Sequence, residues 1–200
     1  MSHLSAPENL VYSLPSIIDR IRLEELFSAA QPLEVELGSG DGSFLLQWAA
    51  AYPERNFIGV ERLLGRVQKL DRKGRRMNLK NLRGIRIESS YFLEHLLPPN
   101  STDAVHIYFP DPWPKLKHRR HRLINDCFPD LARRVLVENG VVYLRTDDLD
   151  YFEQMKAVFN ASSSFKPIET PPDLKAVVTD FEAFFNAQGI KTNYAAFQRL

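Results

Sequence analysis

The sequence has little cysteine and no long apolar run. Its 200 residues include one cysteine, Cys127, so a framework of internal disulfides is excluded. We interpret Cys127 as a small buried residue rather than as a nucleophile. No stretch approaches the roughly 20 apolar residues of a membrane span, and the N-terminus lacks the charged and then apolar pattern of a signal peptide. We therefore expect a cytoplasmic protein with no membrane segment.

Metal and triphosphate motifs are also missing from the sequence. No group of histidine, cysteine and acidic residues has the spacing of a metal site, and no G-x-x-x-x-G-K-[ST] phosphate loop occurs. These absences predict no bound metal and argue against a nucleoside triphosphate as the ligand.

Net charge is almost absent, with 26 Lys and Arg against 25 Asp and Glu, but the charges are unevenly distributed. Residues 66–86 contain nine basic residues and one aspartate, and residues 110–122 contain five basic residues and one aspartate. The remainder of the chain is therefore strongly acidic. Two basic patches on an acidic body favour a polyanionic partner, although a solvated helix face explains the first patch equally well.

Short apolar segments alternate with helical patterns through most of the chain. The predicted strands are 33–37, 56–61, 82–88, 103–109 and 140–146. Residues 177–200 are expected to add antiparallel edge strands and a helix. This alternation predicts an α/β fold: a Rossmann-like, doubly wound, mostly parallel sheet with helices on both faces and an antiparallel C-terminal edge.

Three local features sharpen this prediction. Residues 14–27 have the pattern of an amphipathic helix. Residues 122–136 also have a helical pattern, which Pro129 is expected to kink. His106 lies inside a predicted strand, so we interpret it as a hydrogen-bonded histidine of the core.

Glycine is scarce, with nine in the chain, yet three of them fall within ELGSGDG, residues 36–42. Their G-x-G-x-G spacing differs from the dinucleotide fingerprint G-x-G-x-x-G. Glu36 precedes the loop, and Glu61 lies where a doubly wound fold places an acid that accepts from ribose hydroxyls. Taken singly, these residues also fit a surface acid and a helix N-terminal acid. Together they suit a cationic ligand with a ribose and no phosphates, such as S-adenosylmethionine.

The segment FPDPWPK, residues 109–115, follows the fourth predicted strand and places Asp111 between two prolines. The prolines restrict the backbone, which lowers the entropy lost when the carboxylate of Asp111 is held against a substrate. Because carboxyl ends of parallel strands share one edge of a sheet, Glu36, Glu61 and Asp111 should line one crevice.

Aromatic and basic residues surround this aspartate. Trp113 offers a flat face on which a base could stack, or it anchors the loop. Lys115 and the run KHRRHR, residues 117–122, are expected to face phosphates. That run includes His118 and His121.

These segments resemble the tRNA (guanine-N7-)-methyltransferase family, whose members modify a guanine in the variable loop of tRNA. The likeness covers nearly the whole chain. It includes RTDD, residues 145–148, after the fifth strand, and VTDFEAFFNAQG, residues 178–189, near the end. The resemblance implies transfer of the methyl group of S-adenosylmethionine to N7 of that guanine.

The resemblance also implies roles for individual residues. Asp111 would be catalytic and close to the cofactor. The residues expected to contact S-adenosylmethionine are Glu36, Gly38, Gly40, Glu61, Glu88, Ser89 and Asp111. The residues expected to contact tRNA are Lys115, Asp147, Thr179, Asp180, Phe181 and Glu182.

The chain departs from the family pattern at two places. Glu88 and Ser89 stand where the family usually has Asp or Asn followed by Ala, near the adenine. Leu116 stands where the family commonly has a second basic residue. We expect one domain, with an N-terminal extension at 1–31, a cofactor-binding core at 32–169 and a substrate-binding segment at 170–200.

Several of these positions have simpler structural interpretations. Asp147 and Asp148 also fit N-caps of the helix that follows them. Thr179 and Glu182 fit a capping box, T-x-x-E, before an apolar run.

Two other functions compete with the leading one. The first is a methyltransferase that acts on an exocyclic amine in DNA or protein, and whose Asp/Asn-Pro-Pro-aromatic loop occupies the same place. The second is a non-catalytic RNA-binding protein. The pair Trp113-Pro114 weakens the first, and the intact acids weaken the second. The sequence is compatible with a monomer or a homodimer.

Overall fold

Strands and helices alternate along the chain, of which the computed structural model describes residues 9–200. The strands are β1 Val11–Tyr12, β2 Leu33–Leu37, β3 Asn56–Val60, β4 Leu82–Ile85, β5 Thr102–Tyr108, β6 Leu136–Thr146, β7 Phe165–Ile168 and β8 Asn193–Arg199. The α-helices are α1 Leu23–Leu26, α2 Leu45–Ala51, α3 Leu64–Arg76, α4 Ser89–Tyr91, α5 Phe128–Val135, α6 Leu149–Asn160, α7 Pro172–Ala176 and α8 Asp180–Asn186. A π-helical turn covers Phe92–Leu96 and a 3₁₀ helix covers Leu116–His121.

All eight strands form one sheet in the order β1-β4-β3-β2-β5-β6-β8-β7. The pairs from β1 to β6 are parallel, whereas β8 pairs antiparallel with both β6 and β7. This topology confirms the predicted fold class, although β7 lies earlier in the chain than the expected tail. The strand order reverses between β2 and β5, which is where open α/β sheets form a ligand crevice.

Apolar side chains cover both faces of the sheet. Val35 and Leu37 of β2 belong to a large apolar cluster that includes residues of α5 and α6. A smaller cluster on the other face contains Phe44 and Trp48, at α2. Every residue of β2 is buried, as expected for a strand of a parallel sheet. Because side chains alternate along a strand, its glutamates point toward the smaller cluster.

The predicted helix over 122–136 is wrong in its first half. Helix α5 begins only at Phe128, so Pro129 lies in the first turn, where proline leaves no helical hydrogen bond unmade and causes no kink. The preceding residues form turns instead. The Ile124 N–H donates to the Tyr151 hydroxyl at 2.8 Å, and the Cys127 N–H donates to Asn125 Oδ1 at 3.1 Å. Cys127 is exposed in this turn, which corrects the expectation that it is buried.

The predicted amphipathic helix over 14–27 is also wrong. Only the four residues of α1 are helical. The Ile21 N–H donates to the Leu96 carbonyl at 2.9 Å instead of to an earlier turn of helix. Residues 1–8 of the expected N-terminal extension lie outside the described residues. Within residues 9–200, no helix has the length and apolar character to cross a bilayer.

Candidate active site

A cleft of about 340 Å³ opens at the carboxyl ends of the central strands. It brings together residues that are far apart in the sequence and that were predicted to bind the cofactor. These residues are Gly38, Glu61, Glu88, Ser89 and Asp111. The cleft therefore lies at the switch point of the sheet, as the fold predicts.

The glycine loop adopts backbone conformations that other residues rarely adopt. Gly38 has φ of +77° and Gly40 has φ of +56°. The Gly38 N–H donates to the Val60 carbonyl at 2.8 Å, which ties the loop to β3. A Cβ built on Gly38 would meet no atom within 4 Å. Glycine is therefore required here by its φ angle rather than by crowding, and open space remains in front of the loop.

Glu61 fixes the glycine loop from the end of β3. Its Oε2 accepts from the Gly40 N–H at 3.1 Å, and its Oε1 accepts from the Leu63 N–H at 2.8 Å. Arg66 lies 3.8 Å from the same Oε2. A carboxylate offers about four acceptor positions, so Glu61 retains the capacity to accept further hydrogen bonds from a ligand in the cleft.

Glu36 is buried without full hydrogen bonding. Its side chain is 4% exposed, and its Oε2 has no hydrogen-bond partner among residues 9–200. Burial raises the pKa of Glu36 to about 8, the carboxylates of Glu61 and Asp41 add to the effect, and Arg145 opposes it. A buried acid of this kind is stabilised in its charged form by a cation.

Glu88 and Ser89 line the cleft at the end of β4. Glu88 is the N-cap of α4, and its carboxylate accepts from the Ser90 and Tyr91 N–H groups at 2.9 and 2.8 Å. The carboxylate is therefore held at the rim of the cleft by the short helix that follows it.

The proline-rich loop has a strained backbone on both sides of Asp111. Phe109 has φ of +50° and Trp113 has φ of +43°, values that cost energy for a bulky residue. Both residues precede a proline, which disfavours the right-handed helical region. Asp111 is exposed, and within the described part of the chain no hydrogen bond engages its carboxylate. The loop thus presents Asp111 at the cleft, free to contact a ligand.

Trp113 is anchored within its loop and also lies at the cleft. Its ring lies 5.3 Å from the ring of His121 and 5.9 Å from the ring of His118, so the 3₁₀ helix anchors it. It also lines the cleft together with His121. These two histidines were expected to face phosphates, and the structure instead places them around the tryptophan.

Only part of the basic run, residues 115–122, is exposed at the surface. Lys115, Lys117 and Arg120 are exposed, whereas Arg119 forms an ion pair with Asp150 at 2.9 Å. Arg122 is 1% exposed, which corrects the expectation that it faces phosphates. Nothing in the sequence distinguished it from its neighbours, because the side chains that bind it, Asp150 and Gln154, lie on α6.

The predicted tRNA contacts near the C-terminus fall into two groups. Thr179 and Glu182 form the expected capping box of α8. Both side chains are buried, and Glu182 Oε2 lies 3.1 Å from Nη1 of the buried Arg145. Asp180 and Phe181 are exposed, and the Phe181 ring lies 4.8 Å from that of Phe109. Phe109 lines the cleft, so of the four residues only Phe181 is both exposed and in contact with the cleft wall.

Two aspartates follow β6. Asp148 is the N-cap of α6, and its Oδ1 accepts from the Tyr151 N–H at 2.7 Å, as the capping interpretation predicted. Asp147 is half-buried beside it. It lies at the same edge of the sheet as the cleft but is not part of the cleft wall.

A second basic surface runs along α3. Its exposed side chains are Arg66, Lys69, Arg72 and Arg76. Arg66 also lines the cleft. The first basic patch of the sequence is therefore continuous with the rim of the site.

A larger cavity of about 420 Å³ lies elsewhere on the sheet, near the amino ends of β2 and β5. Its buried carboxylate, Glu34, accepts from Trp48 Nε1 at 2.8 Å and is bonded to His106 and Arg55. Burial alone would raise the pKa of Glu34, but these partners lower it to about 2. This carboxylate is already paired, so we place the functional site at the smaller cleft. The hydrogen bond between Glu34 and His106 confirms the prediction that His106 is a hydrogen-bonded histidine of the core.

The chain is similar to known methyltransferases in sequence. A family model described as "Putative methyltransferase" matches residues 30–194. The tRNA (guanine-N(7)-)-methyltransferase of Nitrosococcus oceani is 36% identical over 170 residues, which cover 84% of this chain and 72% of the relative. That of Halorhodospira halophila is 38% identical over 73% of this chain and 63% of the relative. That of Thermotoga maritima is 34% identical over 84% of this chain and 54% of the relative. The chain thus spans about half to three quarters of these relatives' lengths.

Solved structures support the fold. A 30S ribosomal A1408 methyltransferase from an uncultured bacterium superposes with a TM-score of 0.60 at 19% identity, covering 89% of this chain and 92% of the other. A 16S rRNA methyltransferase gives a TM-score of 0.60 at 15% identity, covering 88% of this chain and 91% of the other. At this identity the likeness concerns the fold alone.

Proposed function

Because the chain belongs to the tRNA (guanine-N(7)-)-methyltransferase family, we propose that it transfers a methyl group from S-adenosylmethionine to N7 of a guanine in the variable loop of tRNA. The observation that carries the proposal is the cleft itself. It places the glycine loop, Glu61 and the strained loop bearing Asp111 around one space of about 340 Å³.

The residues at the cleft fit S-adenosylmethionine. A Cβ at Gly38 would project into open space with no atom within 4 Å, so there is room for a ligand before the loop, and Glu36 keeps an unpartnered buried oxygen nearby. Glu36 would offset the positive charge of the cofactor, Glu61 would accept from the ribose hydroxyls, and Glu88 and Ser89 would lie near the adenine. When bound, the cofactor supplies a methyl group that its sulfonium already activates.

The protein's task is mainly one of positioning. Guanine N7 carries an unprotonated lone pair at neutral pH, so the reaction needs no strong general base. Holding the reacting atoms close and in line supplies most of the rate in such a case. The strained backbone on both sides of Asp111 and the anchored ring of Trp113 limit the conformations of this loop.

Asp111 is our candidate for recognising the base. Its exposed carboxylate can accept a hydrogen bond from guanine N1–H or from the exocyclic amine. Adenine presents the opposite edge pattern, and an unpaired carboxylate in a closed site is costly. Asp147 follows the neighbouring strand and would assist from there. This arrangement would select guanine over adenine.

The polyanionic substrate would lie across the two basic surfaces. Arg66 belongs to α3 and His121 belongs to the 3₁₀ helix, and both line the cleft. The 3₁₀ helix also carries the exposed Lys117 and Arg120, so a tRNA whose guanine enters the cleft would meet positive charge on both sides. Lys115 would contact a phosphate, and Asp180 with Phe181 would contact the tRNA from α8.

The experiment that tests the catalytic assignment is Asp111→Ala. We expect methyl transfer to fall by at least roughly 100-fold, as when one group that stabilises a transition state is removed. The melting temperature should be unchanged, because the side chain is exposed. Asp126→Ala removes another exposed aspartate and serves as the control with wild-type rate. A near wild-type rate for Asp111→Ala would contradict the assignment.

A further inference from the structure

We propose that Arg122 is a positioning residue, which fixes the loop of Asp111 against helix α6. The inference rests on the proposed methyl transfer and adds a residue to it. This arginine is the last residue of the basic run 117–122, yet it is 1% exposed.

The guanidinium of Arg122 contacts the active-site loop and α6 at the same time. Its Nε donates to the Pro112 carbonyl at 2.7 Å. Its Nη2 donates to Asp150 Oδ2 at 2.6 Å, and its Nη1 donates to Gln154 Oε1 at 2.5 Å. Its central carbon lies 4.6 Å from the centre of the Tyr151 ring. Each nitrogen thus has a named acceptor, and an aromatic face supports the plane.

These contacts connect two parts of the site. Pro112 is the residue after Asp111, so a bond to its carbonyl restrains the peptide group between Pro112 and Trp113, next to the aspartate. Helix α6 begins directly after Asp147 and Asp148. Arg122 therefore sets the distance between the loop after β5 and the loop after β6. Both loops bear carboxylates assigned to the substrate.

Only arginine has the donor geometry for this arrangement. A lysine ammonium is a compact charge that cannot reach three acceptors in one plane. An arginine that binds a phosphate faces solvent, whereas the guanidinium of Arg122 is enclosed by a carboxylate, an amide and a phenol ring. The geometry is that of a structural clamp on the catalytic loop.

The test compares Arg122→Lys with the wild type. We expect kcat to fall on the order of 10- to 100-fold, because a displacement of about 1 Å costs that much in oriented sites. The KM for tRNA, the Kd for S-adenosylmethionine and the salt dependence of tRNA binding should change less than about threefold. Arg133→Lys, at an exposed position of α5, is the matched control and should keep the wild-type kcat.

Asp150→Asn provides a second and milder variant, since this partner is half exposed. It should lower kcat in the same sense. Both changes break the same contact, between Arg122 and Asp150. The kcat of the double variant should therefore fall by less than the product of the two single decreases. If Arg122→Lys does not fold, Asp150→Asn decides the question.

Three results would overturn the inference. They are a wild-type kcat in Arg122→Lys, a wild-type kcat in Asp150→Asn, and a loss confined to tRNA affinity with a flatter salt dependence, which would make Arg122 a phosphate contact. If the wild-type chain itself does not methylate tRNA, the proposed function fails instead, and the two failures are thereby distinguished.

Discussion

Glu36 carries the clearest electrostatic signal among the residues of the site. Burial raises the pKa of its carboxyl from 4.5 to about 8. Such a group contributes full stability below the unfolded pKa of 4.5, and that contribution is lost as pH rises through about 8. The folded protein therefore holds a proton on Glu36 at neutral pH, and a cationic ligand must displace it.

A proton should accordingly be released when S-adenosylmethionine binds. At pH 7 we expect release of close to one proton, because the bound positive charge favours the carboxylate. Affinity should rise as pH increases from about 6 to 8. Titration calorimetry in buffers of different ionisation enthalpy measures this release.

Glu36→Gln should remove most of the proton release, and Glu138→Gln, at an exposed position, should keep it. If Glu36→Gln released as many protons as the wild type, another group would be the source of the proton, and the proposed role of Glu36 would be contradicted.

At the scale of elements, α8 owes its position to a buried ion pair. Glu182 is 0% exposed and Arg145 is 1% exposed. The Arg145 guanidinium also donates to the Val177 carbonyl at 2.7 Å and lies over the Tyr108 ring at 4.2 Å. The helix that presents Phe181 is thus tied to β6 and to the end of β5. In this chain the residues of the Thr-x-x-Glu motif, Thr179 and Glu182, therefore have a structural role.

Substitutions at α8 should distinguish the contribution of the N-cap to stability from that of the ion pair. Thr179→Ala should lower the free energy of unfolding by about 1 kcal/mol, as expected for a lost N-cap. Glu182→Ala leaves Arg145 buried and unpaired and should cost about 3–5 kcal/mol. Denaturant unfolding measures both, with Glu169→Ala at an exposed position as the control. A wild-type stability for Glu182→Ala would exclude a structural role for the pair.

Some elements were predictable from local sequence and others were not. Glu61 and Asp111 line one cleft as predicted, because each follows a strand whose apolar pattern is local, whereas Glu36 lies buried within β2 and is not part of the cleft wall. The turn before α5 was not predicted, since it depends on Tyr151 and other residues of α6. Arg122 was likewise assigned to the surface, because its burial depends on partners about 30 positions away in the chain.

At the scale of the whole molecule, the two basic segments converge on one cleft. They are separated along the chain by residues 87–109, which include β5, but the sheet order brings Arg66 and the 3₁₀ helix that bears His121 to the same rim. The charge count alone left the α3 patch open to a second interpretation, as a solvated helix face. Its position at the rim of the cleft favours the polyanionic partner.

The most direct measurement is identification of the methylated product. The full chain is incubated with labelled S-adenosylmethionine and unmodified tRNA, and the tRNA is digested to nucleosides. We expect the label in N7-methylguanosine, and we expect it to be absent when the variable-loop guanine is replaced by adenine. Label in an exocyclic methylamine, or no label in tRNA under conditions where the protein binds S-adenosylmethionine, would contradict the proposed function.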